Sequence, residues 1–322
     1  MPATITHSYY AKDLYEVLPE NITSKLDLNR TKMFANSTDS FMFYNLLSFK
    51  SDNNLRKFQY YFHTHKTNAF FINLLEYIKT NNINDSDTYS FIVGFISHFV
   101  LDSNIHPYII YKTGRFDRKD KTTYKYNGIH HFMETFFDND LIKRRENINP
   151  YKFNITKFCF DTRKFSNDLN NTIDYAFYNT FNIKNMSSKY YKSLKQMKTI
   201  LNLFRKDRFG IKKFFYKIFD TISPKSVFRM EAVSYHYPLE DKHNYLNNSH
   251  DLWRNPADYN ITSTESFVDL YLKSLKDCRD IIIKVFEYLN GKDIDLESLF
   301  LNKDYISGLD CDKEKELKYF EF

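Results

Sequence analysis

Apolar side chains recur at intervals of three and four residues along most of the chain, which is the period of an amphipathic α-helix. Thr264 followed by Glu265 predicts the start of the last helix, and Asn290-Gly291 predicts its end. No stretch alternates with period two, as a half-buried strand would. The pattern predicts helices over residues 11–18, 70–78, 89–101, 130–142, 190–204, 211–222 and 266–289.

The absence of an internal repeat and of a Gly/Ser/Pro-rich linker predicts a single domain over residues 1–322. Only 6 Gly and 7 Pro occur in the 322 residues, too few for the tight reversals of a sandwich or barrel. We therefore predict an all-α fold. A loop-like segment is expected at 235–260, with Pro238, Pro256 and Trp253, and a loosely packed tail at 293–322.

Charge and cysteine content indicate the cellular compartment and the kind of partner. Cys159, Cys278 and Cys311 lie far apart without CxxC spacing, so they are expected to be free thiols in a reducing compartment. No signal-like segment opens the chain and no apolar run approaches the ~20 residues of a bilayer span, which predicts a cytoplasmic protein. The net charge is +6, and its densest cluster, 206–217, alternates with Phe and Tyr at helical spacing. We interpret this cluster as a solvated helix face and not as a nucleic-acid groove.

The candidate chemistry lies in two ladders of metal-binding side chains. His98, Asp102 and His106 are spaced four and four, so on a helix they share one face with about 6 Å between successive Cα atoms. His130 and Glu134 have the same spacing. Imidazole and carboxylate together suit zinc, and a carboxylate between two imidazoles can bridge two ions.

The sequence around the ladders supports a buried metal site. His98 and Asp102 interrupt an apolar run, where a carboxylate beside an imidazole is costly unless an ion compensates both. Pro107 is expected to stop the helix, so that His106 lies near or past its last regular turn. His131 points about 100° away from His130 and is expected to be exposed or to support a ligand.

The run GFISHFVLDSNIHPYI, followed by HHFMETFFD, resembles the zinc-dependent phospholipase C family, whose pattern is a buried HxxxD, a further His, and then HxxxExxxD. The segments MPATITH, STDSFMFYN and FHTHKTNAFF are also similar to that family, as are the late Ser249-His250 and Trp253-Arg254-Asn255-Pro256. The resemblance covers most of the chain. It implies an all-helical zinc hydrolase fold of the type shared with single-strand-specific nucleases, with three zinc ions in a cleft.

The resemblance also implies a ligand set. A first ion would be held by Asp39, His63, His98 and Asp102, and a second by His106, His130 and Glu134. His63 is preferred over His65. Asp102 would bridge to a third ion completed by His7 and the amino terminus, for which Pro2 would supply the amine after removal of Met1; a dinuclear site is the alternative. Asp138 matches the last position of the pattern and either orients a ligand histidine or is a surface charge.

The predicted function is zinc-dependent hydrolysis of a phosphodiester, of the phospholipase C type, by hydroxide generated at the ions, with Asp39 as the catalytic residue that orients or deprotonates water. The expected substrate is a phospholipid or another phosphodiester, with transient contact to a membrane and no stable nucleic-acid partner. Two alternatives stay open: a nuclease or other phosphodiesterase using the same ions, and a metal-stabilised helical binding protein without turnover.

Overall fold

Helices form nearly all of the regular structure, which confirms the all-α class. The computed structural model describes residues 4–46, 54–117, 119–205, 207–223, 229–236, 241 and 243–321. Short 3₁₀ turns cover Ser37–Phe43, Lys121–Thr123, Pro150–Lys152 and Met230–Val233. The helices are α1 (Thr4–Val17), α2 (Glu20–Thr23), α3 (Leu28–Phe34), α4 (Asn54–Thr64), α5 (Thr67–Thr80), α6 (Ser86–Thr113), α7 (Tyr124–Glu146), α8 (Ile155–Cys159), α9 (Asn167–Phe181), α10 (Met186–Arg205), α11 (Ile211–Ile222), α12 (Phe267–Leu289) and α13 (Leu296–Leu299).

Helix α6 is the central element, and it contains the first ligand ladder. It begins at the side-chain cap of Asp85 and is buried along most of its length. The expectation that Pro107 stops this helix is wrong, because α6 continues to Thr113. Proline removes one hydrogen bond to the carbonyl of Ser103. That carbonyl lies against Gly308, where an added Cβ would come within 2.4 Å of the oxygen, so the C-terminal segment covers the position that the proline leaves unbonded.

The end of α3 crosses α6 at Gly94, and this close crossing positions part of the site. A Cβ on Gly94 would lie 2.6 Å from Phe34 Cβ and 2.8 Å from the Ala35 nitrogen. The fully buried Arg30 pairs with Asp87 at 2.5 Å and fixes α3 to the first turn of α6. The chain then turns into the segment Ser37–Phe43, which holds Asp39 over α6.

The C-terminal segment is packed more tightly than the sequence predicts. Phe300 and Tyr305 are completely buried, and Asp304 and Ser307 are also buried. The expectation of a loose tail at 293–322 is therefore wrong for this part. Phe300 stacks on Phe71 of α5, and Tyr305 lies against His63, so aromatic contacts with the core order the segment.

The segment expected to be a loop, 235–260, contains the start of an antiparallel hairpin. Strand β1 (Trp253–Asn255) pairs with β2 (Asp258–Ser263), with Trp253 opposite Ser263. Pro238 lies outside the described residues. The last helix, α12, is capped by Ser266 in a capping box with Asp269, and not by the Thr264 of the prediction.

The exposed surface of helix α11 differs from the prediction. Lys206 lies outside the described residues. Arg208 and Lys217 are exposed as predicted, but most of the outward face of the helix is formed by Phe and Ile side chains. Among the described residues no helix has the length and apolar character needed to cross a membrane.

Candidate metal centre

The carboxylate of Asp102 lies at the centre of a buried cluster of histidines. Its Oδ1 is 3.3 Å from His7 Nε2, and its Oδ2 is 3.2 Å from His98 Nε2 and 3.4 Å from His106 Nδ1. His98 and His106 come from the α6 ladder, whereas His7 comes from α1. One buried carboxylate thus contacts imidazoles from two separate helices.

The first candidate group consists of His7, Asp39, His98 and Asp102, whose ligand atoms all lie within 4.8 Å of one another. All four residues are buried. His98 Nδ1 lies 3.0 Å from the carbonyl oxygen of Ala35, at the α3–α6 crossing. A carbonyl can only accept, so Nδ1 carries the proton, and Nε2 of the neutral imidazole would supply a lone pair to a metal ion.

The second candidate group consists of His106, His130 and Glu134. On α7, His130 Nε2 is 3.1 Å from Glu134 Oε1, as the spacing of four predicts. His106 Nε2 from α6 is 3.9 Å from the same oxygen. The side chains of His106 and His130 are 17% and 15% exposed, so this group is nearer to solvent than the first.

Sequence reasoning missed the residue that braces both groups. The carbonyl oxygen of Tyr305 accepts a hydrogen bond from His106 Nδ1 at 2.8 Å, and the Tyr305 amide donates to the carbonyl of His63 at 2.9 Å. Its ring also stacks on His63, with centroids 4.5 Å apart. No sequence motif marks this role, because backbone atoms perform most of it.

His63 and Asp39 form a pair at the edge of the first group. His63 Nε2 is 3.6 Å from Asp39 Oδ1, and Gln59 donates to the same carboxylate oxygen at 2.8 Å. Thr38 Oγ1 lies 3.0 Å from His63 Nε2. His65 is exposed and bonded locally to Thr64, so of the two histidines it is His63 that the structure places beside Asp39.

The electrostatics of the cluster follow from burial and opposed charges. Burial would raise the pKa of Asp102, but His106, His98 and His7 hold it well below its usual value. Burial alone would lower the pKa of His106, yet Asp102 and Glu134 raise it to about 9. Burial dominates at His63, where it lowers the pKa to about 4. Ionised carboxylates therefore persist in a site that is poor in water, and they attract cations.

Zinc fits the first group by distance and by donor chemistry. Ligands about 2.0–2.1 Å from a tetrahedral zinc are about 3.3 Å apart, close to the separations of Asp102 from His7 and from His98. Both His98 Nε2 and Asp102 Oδ2 are buried without hydrogen-bond geometry to any described group, although they are 3.2 Å apart. Two such atoms directed at one ion would be satisfied together.

The structure excludes an exposed position for His131 and for Asp138. His131 is not an exposed residue, because its side chain is 12% exposed and Nδ1 lies 3.4 Å from Glu134 Oε2. Asp138 is not a surface charge. It is fully buried, accepts from the Thr6 amide at 2.8 Å and pairs with Arg205, so it anchors the segment that holds His7.

The remaining histidines bond away from both groups. His236 stacks on Tyr151, and His250 Nδ1 lies 3.0 Å from the carbonyl of Thr264. His243 packs near Tyr245. The amino group of Pro2, expected to complete a third ion site, lies outside the described residues.

The family comparison agrees with this geometry. The model of the family described as zinc dependent phospholipase C matches residues 6–199, more than half of the chain. The chain belongs to the zinc-dependent phospholipase C family, and its two groups of buried and partly buried side chains are candidate metal sites. No curated protein and no solved structure matches the chain.

Proposed function

We propose that this protein is a zinc-dependent phosphodiesterase of the phospholipase C type, which hydrolyses a phospholipid at its head-group phosphate. The observation that supports the proposal most directly is the Asp102 carboxylate, which contacts His7 and His98 of the first group and His106 of the second. We further propose that the two groups hold two or three zinc ions.

When bound, zinc lowers the pKa of a water molecule towards neutrality and neutralises charge on phosphoryl oxygens. The protein side chains would orient the attacking water or accept its proton. Asp39 is our candidate to orient or deprotonate the attacking water, since Gln59 fixes its Oδ1 at 2.8 Å while its Oδ2 faces His98 at 3.7 Å. A carboxylate held in this way loses little freedom when it binds a proton or a water.

The unequal burial of the two groups favours one direction of substrate approach. The first group is buried, whereas His106 and His130 of the second group are partly exposed. A phosphate diester would therefore reach the site beside His106, His130 and Glu134. The negative diester would approach where the partly exposed imidazoles lie.

The first test is elemental analysis of the purified protein together with phosphocholine release from phosphatidylcholine. We expect stoichiometric zinc and measurable release. His63→Ala should reduce both, while the matched variant His65→Ala should change neither, because His65 is exposed and bonded only locally.

The second test separates catalysis from metal binding. Asp39→Asn should retain most zinc but lower turnover by about 10²–10⁴-fold if this carboxylate activates water. A pure protein without zinc would refute the metal site. Zinc-loaded protein that cleaves single-stranded DNA but no phospholipid would instead assign the same site to a nuclease, and zinc-loaded protein without any hydrolysis would identify a binding protein.

A further inference from the structure

Helix α11 turns its apolar residues to solvent, while its buried residues are Tyr216 and Asp220. Apolar residues at intervals of three and four along α11, together with Phe209 just before it, point into solvent. Among the most exposed are Phe209 at 78%, Ile211 at 58%, Phe214 at 62%, Phe215 at 60% and Ile222 at 76%. A contiguous apolar face of this kind marks an interaction surface, whereas single exposed apolar residues do not.

Hydrogen bonds on the inner side fix the helix in this orientation. Tyr216 is buried and its hydroxyl donates to the Phe204 carbonyl at 2.8 Å. Asp220 is also buried and accepts from the amides of Met230 and Glu231, each at 2.9 Å. Rotation of α11 to bury the phenylalanines would break all three bonds, so the outward apolar face is the arrangement that the fold enforces.

Within the segment 207–223 the exposed charges are positive. In the segment 207–223 the only two carboxylates, Asp207 and Asp220, are buried. The exposed charges of this segment are those of Arg208 and Lys217, while Lys212 and Lys213 are half-buried. Phenylalanines on one face with cations beside them are typical of helices that lie in the interface of an anionic bilayer.

We propose that α11 binds the surface of an anionic phospholipid bilayer and inserts Phe214, Phe215 and Phe219 among the acyl chains. A second copy of this chain fits less well, because a two-fold contact through the same face would bring the like charges of Arg208 and Lys217 from both copies into one interface. The inference concerns binding and goes beyond the hydrolysis proposed above.

One short turn connects the apolar face of α11 to the candidate metal centre. The 230–233 turn packs between α11 and α7, and its Ala232 carbonyl accepts a hydrogen bond from Thr135 at 2.5 Å. Thr135 directly follows Glu134 of the second group. A bilayer contact at α11 would thus be linked to the partly exposed group through a single turn.

The test is co-sedimentation of the full-length zinc-loaded protein with vesicles of phosphonate lipids, in which a methylene replaces the scissile oxygen. One vesicle type contains the phosphatidylcholine analogue alone, and the other adds the phosphatidylglycerol analogue. We expect preferential binding to the second. The triple variant Phe214→Ser, Phe215→Ser and Phe219→Ser should lower the partition coefficient at least about 100-fold.

A matched control variant changes scattered residues of similar exposure, and a charge variant tests the cations. Leu252→Ser, Leu272→Ser and Leu301→Ser, at 55%, 57% and 53% exposure, should stay within a few-fold of the parent protein. Arg208→Gln with Lys217→Gln should reduce binding to the anionic vesicles by about 30-fold.

Three results would overturn the inference: no binding of the parent protein to either vesicle type, equal binding by the triple phenylalanine variant, or a parent dimer in sedimentation velocity that this variant dissociates. The last would assign the face to a second copy. Hydrolysis of a monomeric short-chain phosphatidylcholine is a separate readout, and the phenylalanine variant should retain it. Vesicle binding through α11 without any hydrolysis would refute the proposed activity and support the inference.

Discussion

Replacing Gly94 by alanine should distort the crossing of α3 and α6 and weaken zinc binding. The new Cβ would lie 2.6 Å from Phe34 Cβ and 2.8 Å from the Ala35 nitrogen. Carbon atoms need about 3.5 Å, so the end of α3 must retreat by about 0.9 Å. Overpacking of this kind costs up to about 3 kcal/mol, and alanine returns about 1 kcal/mol of helix propensity. We expect a net loss of about 2 kcal/mol.

The same displacement should reach the metal centre. The Ala35 carbonyl lies 3.0 Å from His98 Nδ1, and a retreat of about 0.9 Å takes it out of hydrogen-bond range. Loss of such support for a ligand histidine typically lowers metal affinity about 10-fold or more. At a fixed saturating concentration of free zinc, that factor adds about 1.4 kcal/mol to the destabilisation.

Urea unfolding with chelator and with buffered free zinc measures both effects. Gly128→Ala on α7 is the matched control, since the atoms nearest to its Cβ belong to the Arg229 side chain and not to backbone, with Cγ at 2.5 Å. Arg229 Cγ lies close to the backbone, and Arg229 Nη1 donates to the Asp220 carbonyl at 3.1 Å, so the side chain can turn only at some cost. The control should therefore lose some stability but keep the zinc dependence of the parent protein. If Gly94→Ala is as stable as the parent protein, or unfolds with the same zinc dependence as the parent and Gly128→Ala, the close crossing does not position His98 and the reasoning is refuted.

Removal of metal by a chelator should lower the melting temperature by several degrees in calorimetry, because the buried carboxylates and imidazoles lose their common partner; an unchanged melting curve would argue against a bound ion. Zinc binding to the metal-free protein at pH 7 should release protons, since the pKa of His106 is raised to about 9 and its imidazole must lose a proton to bind metal. Calorimetry in buffers of different ionisation enthalpy should find this release at pH 7 and lose it above about pH 10. Burial raises the pKa of the Cys159 thiol to about 12 and also raises that of Cys278, so a disulfide reagent at pH 8 should modify only the half-buried Cys311 in the native protein.

Prediction from the sequence was most accurate where metal-binding residues are spaced by one turn of helix. His98 with Asp102 and His130 with Glu134 are four residues apart, and one turn of helix necessarily brings each pair together. The all-α class followed in the same way from the spacing of apolar residues. These predictions need only local geometry.

Features that depend on distant contacts could not be predicted from the sequence. The Ala35 carbonyl has no residue signature, and its approach to His98 depends on the crossing at Gly94. Pro107 predicted a helix end because local rules consider only the lost hydrogen bond. They do not include the packing of Gly308 against the Ser103 carbonyl. The outward face of α11 was also missed, since a periodic pattern fixes one apolar side without telling which way it points.

The hydrogen bond from His106 to Tyr305 joins residues 199 positions apart. During synthesis the ladder histidines emerge from the ribosome long before the backbone that orients them, so a nascent chain can collapse around α6 while its second group still lacks its brace. Maturation of the centre therefore cannot be completed before Tyr305 has been synthesised. Fragments released early by translational arrest would contain every candidate ligand and still lack a correctly oriented His106.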